Sequence, residues 1–288
     1  MEKLFKPIYE EYVNHVDTLG VILIEKTKPY SPITANFDVI ILVIVKTPDK
    51  DWHERHYEWH DKIAATFTIS ELSLNKWIDT NINRKVIEWI FAGTVVFDRD
   101  DHIKALKNRL RCFPYEKRDL RKTMEFGKLL RSFNEGKDLY ASEQYKDAFI
   151  RMVHTLHYLA RLAVVENGYY PEVTLWNQVK RIDPEIYKLY DELMESDESI
   201  AKRIQLMILA SDVAISKRAT VSAKHLLDII NEKNDAWAYD ELKTHPEIAP
   251  YAMNLTAILS YLTKKNILKT EKGKTKVADV YKRKYRIT

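Results

Sequence analysis

The stretch FDVIILVIV, residues 37–45, decides how the chain must fold. It is apolar and β-branched at alternate positions on both sides, so a strand of this sequence has to be covered from two directions. A single acid, Asp38, stands at its mouth. The surrounding segments alternate helix and strand. Residues 3–15 place Leu4, Ile8, Tyr9, Tyr12 and Val13 near one helical face. GVILIE (20–25) reads as a short strand, and KTKPYSPIT (26–34) as a loop because of its prolines. HERHYEW (53–59) and IAATFTIS (63–70) are two further strands around His60-Asp61-Lys62. Helices are expected over 71–79 and 83–92, stopped at Gly93, then the strand TVVFD (94–98) and a helix over 100–112 closed by Pro114. Residues 1–115 therefore read as an α/β domain with a mixed sheet.

From about residue 116 the pattern becomes helical. Helices are expected over 116–138, 143–166, 172–194 with a break near Pro184, and 199–217. In the second, Ala148, Met152, Thr155, Leu156, Leu159 and Ala163 form a stripe with a period near 3.6. Short polar connections between such helices imply a bundle over 116–219. Residues 220–288 change again, with helices at 221–233, 235–243 and 254–266, the last capped by Asn254. ILKTEKGKTKVADVYKRKYRI (267–287) then reads as two strands turning at Lys272-Gly273-Lys274. Three helices followed by a basic hairpin is the order of a winged helix. The fold class is thus α+β followed by α, in several domains.

Composition narrows the function. No run approaches the ~18 uncharged apolar residues of a membrane span, and the N-terminus, MEKLFKPIYEEYVNHV, lacks the apolar core of a signal peptide. The lone Cys112 excludes an intrachain disulfide or a multi-cysteine zinc site, which suits a reducing cytoplasm. The net charge of +4 hides an asymmetry. Residues 263–288 hold ten Lys or Arg against Glu271 and Asp279, so that end is +8 and the remainder −4. Such an end suits a polyanion, DNA or RNA, although a solubilising tail has the same composition.

The segment LGVILIEKTKPYSPITANFDVIILVIV (19–45) resembles the polymerase-β-like nucleotidyltransferases between their glycine-serine pair and their alternating aspartates. In that family the acids hold two divalent ions that steady an in-line transfer. With the last aspartate on Asp38, the first falls on Asn36 and the Gly-Ser pair on Ile24-Glu25. Glu25 would repel a triphosphate, Asn36 carries no charge, and Ala65 or Thr66 stands where the third acid belongs. One carboxylate has little hold on Mg²⁺. Asp38, with Glu25 and Asn36 assisting, is the candidate metal and catalytic set only if transfer of an NMP group survives in a rearranged form. Mg²⁺ and an NTP would then be the cofactors.

Over nearly its whole length the chain resembles the nucleotidyltransferase-like proteins of Bacillus and its relatives (YgxA-like). NFDVIILVIVK, NRKVIEWI, TLHYLARLAVVENG, TLWNQVKRIDPEIYKLY and LASDVAIS carry that likeness. It implies a substrate-binding-type helical domain in the middle and a helix-turn-helix-like domain at the end. Two other constellations are weaker. His53, His56 and His60 lie on a strand, where His56 and His60 would stand about 13 Å apart at ~3.3 Å per residue, too far for one ion. In the bundle, His154, His157 and Arg161 fall on one helical face, and Arg151 with His157 is similar to the Arg-His motif of HEPN ribonucleases. Tyr169, Tyr170 and Trp176 read as packing aromatics, with base stacking as the alternative.

The expectation is a degenerate, non-catalytic transferase-like protein that regulates by binding nucleotide or nucleic acid. An active transferase and a purely structural or partner-binding protein are the alternatives. The basic end supplies the expected phosphate contacts: Lys264, Lys265, Lys269, Lys272, Lys274, Lys276, Lys282, Arg283 and Lys284. Its third helix offers only Asn254, Thr256 and Ser260 to read bases.

Overall fold

The computed structural model describes residues 2–47, 52–80, 83–111, 115–275 and 279–288. It divides into two compact units, 1–113 with 171–173, and 114–170 with 174–288.

In the first unit, helix α1 (Glu2–Val13) leads into β1 (Thr18–Glu25), β2 (Val39–Val45), β3 (Trp52–Trp59) and β4 (Lys62–Ser70). Helices α2 (Glu71–Thr80) and α3 (Arg84–Ala92), strand β5 (Thr94–Asp98) and helix α4 (His102–Arg111) follow. The sheet runs in the order β3-β4-β2-β1-β5, with β2 and β4 parallel and the other pairs antiparallel. All seven residues of β2 are buried, at about 1.5–3 kcal/mol for each large aliphatic side chain. Val39, Ile41, Val43 and Val45 pack with Phe5 and Tyr9 of α1. The alternate side chains face the other helices. A Cβ on Gly20 would lie 2.3 Å from Ile103 of α4, and one on Gly93 2.3 Å from Ile22, so β1 can approach these elements only through glycine.

The second unit opens with two long helices, α5 (Tyr115–Ala141) and α6 (Tyr145–Glu166), packed along each other. Helices α7 (Leu175–Ile182), α8 (Pro184–Glu195) and α9 (Ile200–Ser222) complete the bundle. The expected break at Pro184 is real: Asp183 caps α8 by accepting from the Ile186 N–H at 3.2 Å, with the proline in the first turn.

The chain continues through α10 (Lys224–Ile230), the two-residue strand β6 (Trp237–Ala238), α11 (Tyr239–Thr244), a 3₁₀ stretch (Pro246–Asn254) and α12 (Leu255–Lys264). It ends in the hairpin of β7 (Leu268–Lys274) and β8 (Tyr281–Ile287), with β6 pairing to β8. This is winged-helix connectivity. Its core is continuous with the bundle: Phe126, Leu156 and Ile215 share one cluster with Leu226, Ile258 and Tyr285. The junction of the 3₁₀ stretch with α12 lies close to Gly127 of α5, where a Cβ would lie 2.8 Å from Asn254 and 3.0 Å from Ile258.

Three local expectations are corrected. The helix expected over 235–243 begins instead with strand β6, whose Trp237 and Ala238 pair with Tyr285 and Lys284, and only α11 (Tyr239–Thr244) is helical. Asn254 makes no capping bond. The 3₁₀ stretch runs directly into α12, and the Leu255 N–H already donates to the Ala252 carbonyl. The hairpin also does not turn at Gly273, which pairs with Lys282 inside the ladder. Pairing extends to Lys274 and Tyr281, and Asp279, at φ 60°, takes the left-handed conformation that aspartate tolerates near the reversal.

Candidate functional site

At the mouth of β2 the Asp38 backbone joins the sheet: its carbonyl accepts from the Lys26 N–H at 2.8 Å, and its N–H donates to the Ile63 carbonyl at 2.8 Å. Its carboxylate turns the same way, accepting from the Ile63 N–H at 3.0 Å, with the Lys62 ammonium 3.9 Å away. Asp38 therefore ties the entry of β2 to the entry of β4.

The partners proposed for it diverge. Glu25 stands opposite Val39 in the β1–β2 ladder, and Val39 faces α1. Directly opposed residues share a face and successive residues alternate, so Glu25 and Asp38 project from opposite sides of the sheet. Asn36 is not on the strand. It lies exposed in a turn over 32–36, next to Ala35 with φ 51°. In β4, Ala65 and Thr66 pair with Ile40 and Ile41, and both are buried. Among the described residues no three His, Cys, Asp or Glu side chains gather where one ion could sit. The donor set at Asp38 does not fit the two-ion centre of the polymerase-β-like fold.

A cleft of about 400 Å³ does exist in this unit, near the end of β2 away from Asp38. Tyr12, Thr18, Val45, His53, Arg55 and Thr66 line it; Asp38, Asn36 and Glu25 do not. Burial pushes the Tyr12 phenol up, and that phenol in turn raises the Arg55 guanidinium. Of the strand histidines, His56 bonds Glu54 at 2.8 Å and His60 lies against the Trp59 ring.

In the bundle the expected polar face is split. Arg161 makes two bonds to the Glu125 carboxylate, at 2.8 and 2.7 Å, and Arg121 adds a third contact at 3.0 Å, all of them buried. Burial would push Glu125 up; the bonds and charge of Arg161, then Arg121 and Lys128, overcome it and hold the carboxyl well below the ordinary range. His157 lies edge-on to Trp176, and Trp176 stacks on Tyr190 at 3.8 Å. Arg151 pairs with Glu135 at 3.2 Å. Sequence reasoning missed Glu125, although Arg121 and Glu125 stand at the i, i+4 spacing of a helical ion pair.

The basic hairpin is intact. Lys264, Lys265, Lys269, Lys272, Lys274, Lys282 and Arg283 are exposed and Lys284 half-buried, while Lys276 lies outside the described residues. Several cations have partners: Lys265 with Asp212 at 3.7 Å, Lys282 with Asp240 at 3.5 Å, and Arg286 with Glu271 at 2.9 Å. Lys269 stands directly opposite Arg286, however, and Lys272 directly opposite Arg283. Helix α12 buries Leu255, Ile258, Leu259, Tyr261 and Leu262 and exposes Thr256, Ser260 and Lys264. The Thr256 hydroxyl lies 3.0 Å from that of Tyr239.

Comparison with known proteins matches each part of this architecture. A nucleotidyltransferase-like model matches residues 1–118, a YgxA-like substrate binding domain residues 119–218, and a helix-turn-helix domain residues 224–287. The chain is 40% identical to the uncharacterized protein YgxA of Bacillus subtilis (strain 168) over 285 residues, covering 99% of this chain and 97% of that protein. It belongs to the YgxA-like family. The family fold extends to a crystal structure, the nucleotidyltransferase-like protein from Exiguobacterium sibiricum 255-15. That structure matches with a TM-score of 0.79 and 32% identity over 100% of this chain and 99% of its own. Among the described residues no helix is long and apolar enough to cross a membrane.

Proposed function

We propose that this protein is a non-catalytic member of the nucleotidyltransferase-like fold that binds nucleic acid through its C-terminal wing and acts as a regulator. The observation that carries this reading is the pairing of like charges, Lys272 with Arg283, across the β7–β8 ladder, where the neighbouring Arg286 opposite Lys269 is answered by Glu271. Like charges directly opposite one another weaken a hairpin. A solubilising tail has no need of that arrangement, whereas phosphates lying along the wing would offset it. Contacts of this kind give affinity and salt dependence without sequence preference. The exposed ridge of α12, Thr256, Ser260 and Lys264, is short of base-reading groups, which supports binding of low specificity. The expected location is the cytoplasm, in keeping with a single cysteine.

Against an active transferase stands the commitment of Asp38 to the Ile63 N–H, with Glu25 on the other side of the sheet. The deciding experiment is fluorescence anisotropy of a labelled DNA or RNA duplex, titrated with the full-length protein across a salt series. The log of the binding constant is expected to fall with log salt by about 0.9 per phosphate contacted on DNA. The slope should flatten when Lys272 and Arg283 are both changed to glutamine. Salt-independent binding, or none, would reject the proposal.

A further inference from the structure

A second cleft, of about 340 Å³, lies between α5, α6 and the junction of the 3₁₀ stretch with α12. Lys128, Arg131, Ser132, Arg151, His154 and Tyr158 line it, and the wing takes no part. Its charges are out of balance. Glu135 bridges two arginines, with Arg131 Nε at 2.9 Å and Arg151 Nε at 3.2 Å. Behind it the buried Glu125 is shared by Arg161 at 2.7 Å, Arg121 at 3.0 Å and Lys128 at 3.7 Å. Apart from His154, the charged side chains that line the cleft itself are the cations Lys128, Arg131 and Arg151 and one carboxylate, Glu135. Burial, with the charges of Arg121 and Arg161, lowers the Lys128 ammonium despite Glu125 beside it. A purely structural clamp gains nothing from such an excess in a half-enclosed place.

The geometry points to a binding site for the phosphate of a nucleotide-like ligand in this cleft, held by Lys128, Arg131 and Arg151. The guanidinium fork matches phosphate oxygens in pairs, and Lys128 adds a point charge. Glu135 meets each arginine at Nε and competes with a ligand for their charge. The Ser132 hydroxyl bonds the Arg151 carbonyl at 3.1 Å and so fixes α6 against α5 at this level. Tyr158 supplies ring surface to the same cleft, and Met253, 86% exposed, supplies a thioether for the organic part of the ligand. The phosphate could belong to a free nucleotide or to a nucleic-acid strand. This inference is independent of the reading of the wing.

The test is calorimetric titration of the full-length protein with pyrophosphate, ATP and a short single-stranded oligonucleotide. Four proteins are compared: the unmodified chain, Arg131→Ala with Arg151→Ala, Glu135→Ala, and Lys272→Gln with Arg283→Gln in the wing. Arg131 and Arg151 have half-exposed side chains, so their loss leaves the core in place. Pyrophosphate and ATP are expected to bind the unmodified chain, and to bind the double-alanine variant about tenfold or more weakly, as loss of charge-assisted bonds requires. Glu135→Ala should bind them more tightly, because it removes the competing carboxylate, and the wing variant should bind pyrophosphate unchanged. An oligonucleotide that binds the wing variant more tightly than ATP does would assign the phosphate to a nucleic acid; the reverse order would assign it to a free nucleotide. No heat from either pyrophosphate or ATP overturns the site. So does retained affinity in the double-alanine variant, or weaker binding in Glu135→Ala, which would mark the cluster as structural.

Discussion

The mouth of β2 and the β7–β8 wing both present charge where a ligand could meet it, but they dispose of that charge in opposite ways. At the mouth, the Asp38 carboxylate is bonded to the chain's own Ile63 N–H. In the wing, cations stand opposite cations, and only some have carboxylates to answer them. A charge satisfied from within ties the fold together. A charge left facing its like raises the energy of the free protein and lowers it again only when a partner arrives. The first arrangement is structural, and the second is the one on which the proposed binding of nucleic acid rests.

The comparison is sharpened first where charge is most completely internal. Glu125→Ala would leave Arg121 and Arg161 buried without their carboxylate, and a destabilisation of about 3–5 kcal/mol is expected in urea unfolding of the second unit. The same cluster sets an acid limit. Because the folded carboxyl lies below its unfolded value, its stabilisation is complete above about pH 4.3. It should fade as the pH falls further towards the native value, which unfolding midpoints measured across acid pH would follow.

Changing Lys272 and Arg283 to glutamine tests the wing in two directions at once. Nucleic-acid binding should weaken and lose about 0.9 of salt slope for each phosphate contact removed. The hairpin should gain about 0.2–1 kcal/mol as the like-charge pair disappears. If stability falls instead, the cations are structural and the contrast with Asp38 breaks down.

Asp38→Ala is expected to cost about 1 kcal/mol, the worth of a single hydrogen bond, and to leave the response to Mg²⁺ and NTP in calorimetry unaltered. Nucleotide binding that needs both the metal and Asp38 would restore the transferase reading. The smallest effect belongs to α12. Ser260→Ala should leave the ranking of DNA sequences unchanged in a competition assay, because a single hydroxyl offers little discrimination.

Much of this molecule was legible without coordinates. The two-sided apolarity of FDVIILVIV demanded a central strand, and β2 is buried along its whole length. Pro184 marked a break in the helical run of 172–194, and the helix-helix-helix-hairpin order of the last segment marked a winged helix. These features are local: each depends on periodicity or backbone chemistry within one element. The missed turn at Asp279 and the absent cap at Asn254 are local as well, but each was decided by a neighbour. The ladder extends past Gly273, and the 3₁₀ stretch supplies the carbonyl that a cap would otherwise replace.

By itself the sequence determined most element types, their order and the basic end, although strand β6 (Trp237–Ala238) lies inside a run that reads as helix. Only the tertiary structure decided what the remaining charges do. Whether Glu25 shares a face with Asp38 depends on register between β1 and β2, and one residue of offset reverses it. Whether Arg151 meets Glu135 depends on how α6 lies along α5. Electrostatic roles arise between elements distant in the chain, where a few ångströms separate a capped strand from a metal site and an ion pair from an anion pocket.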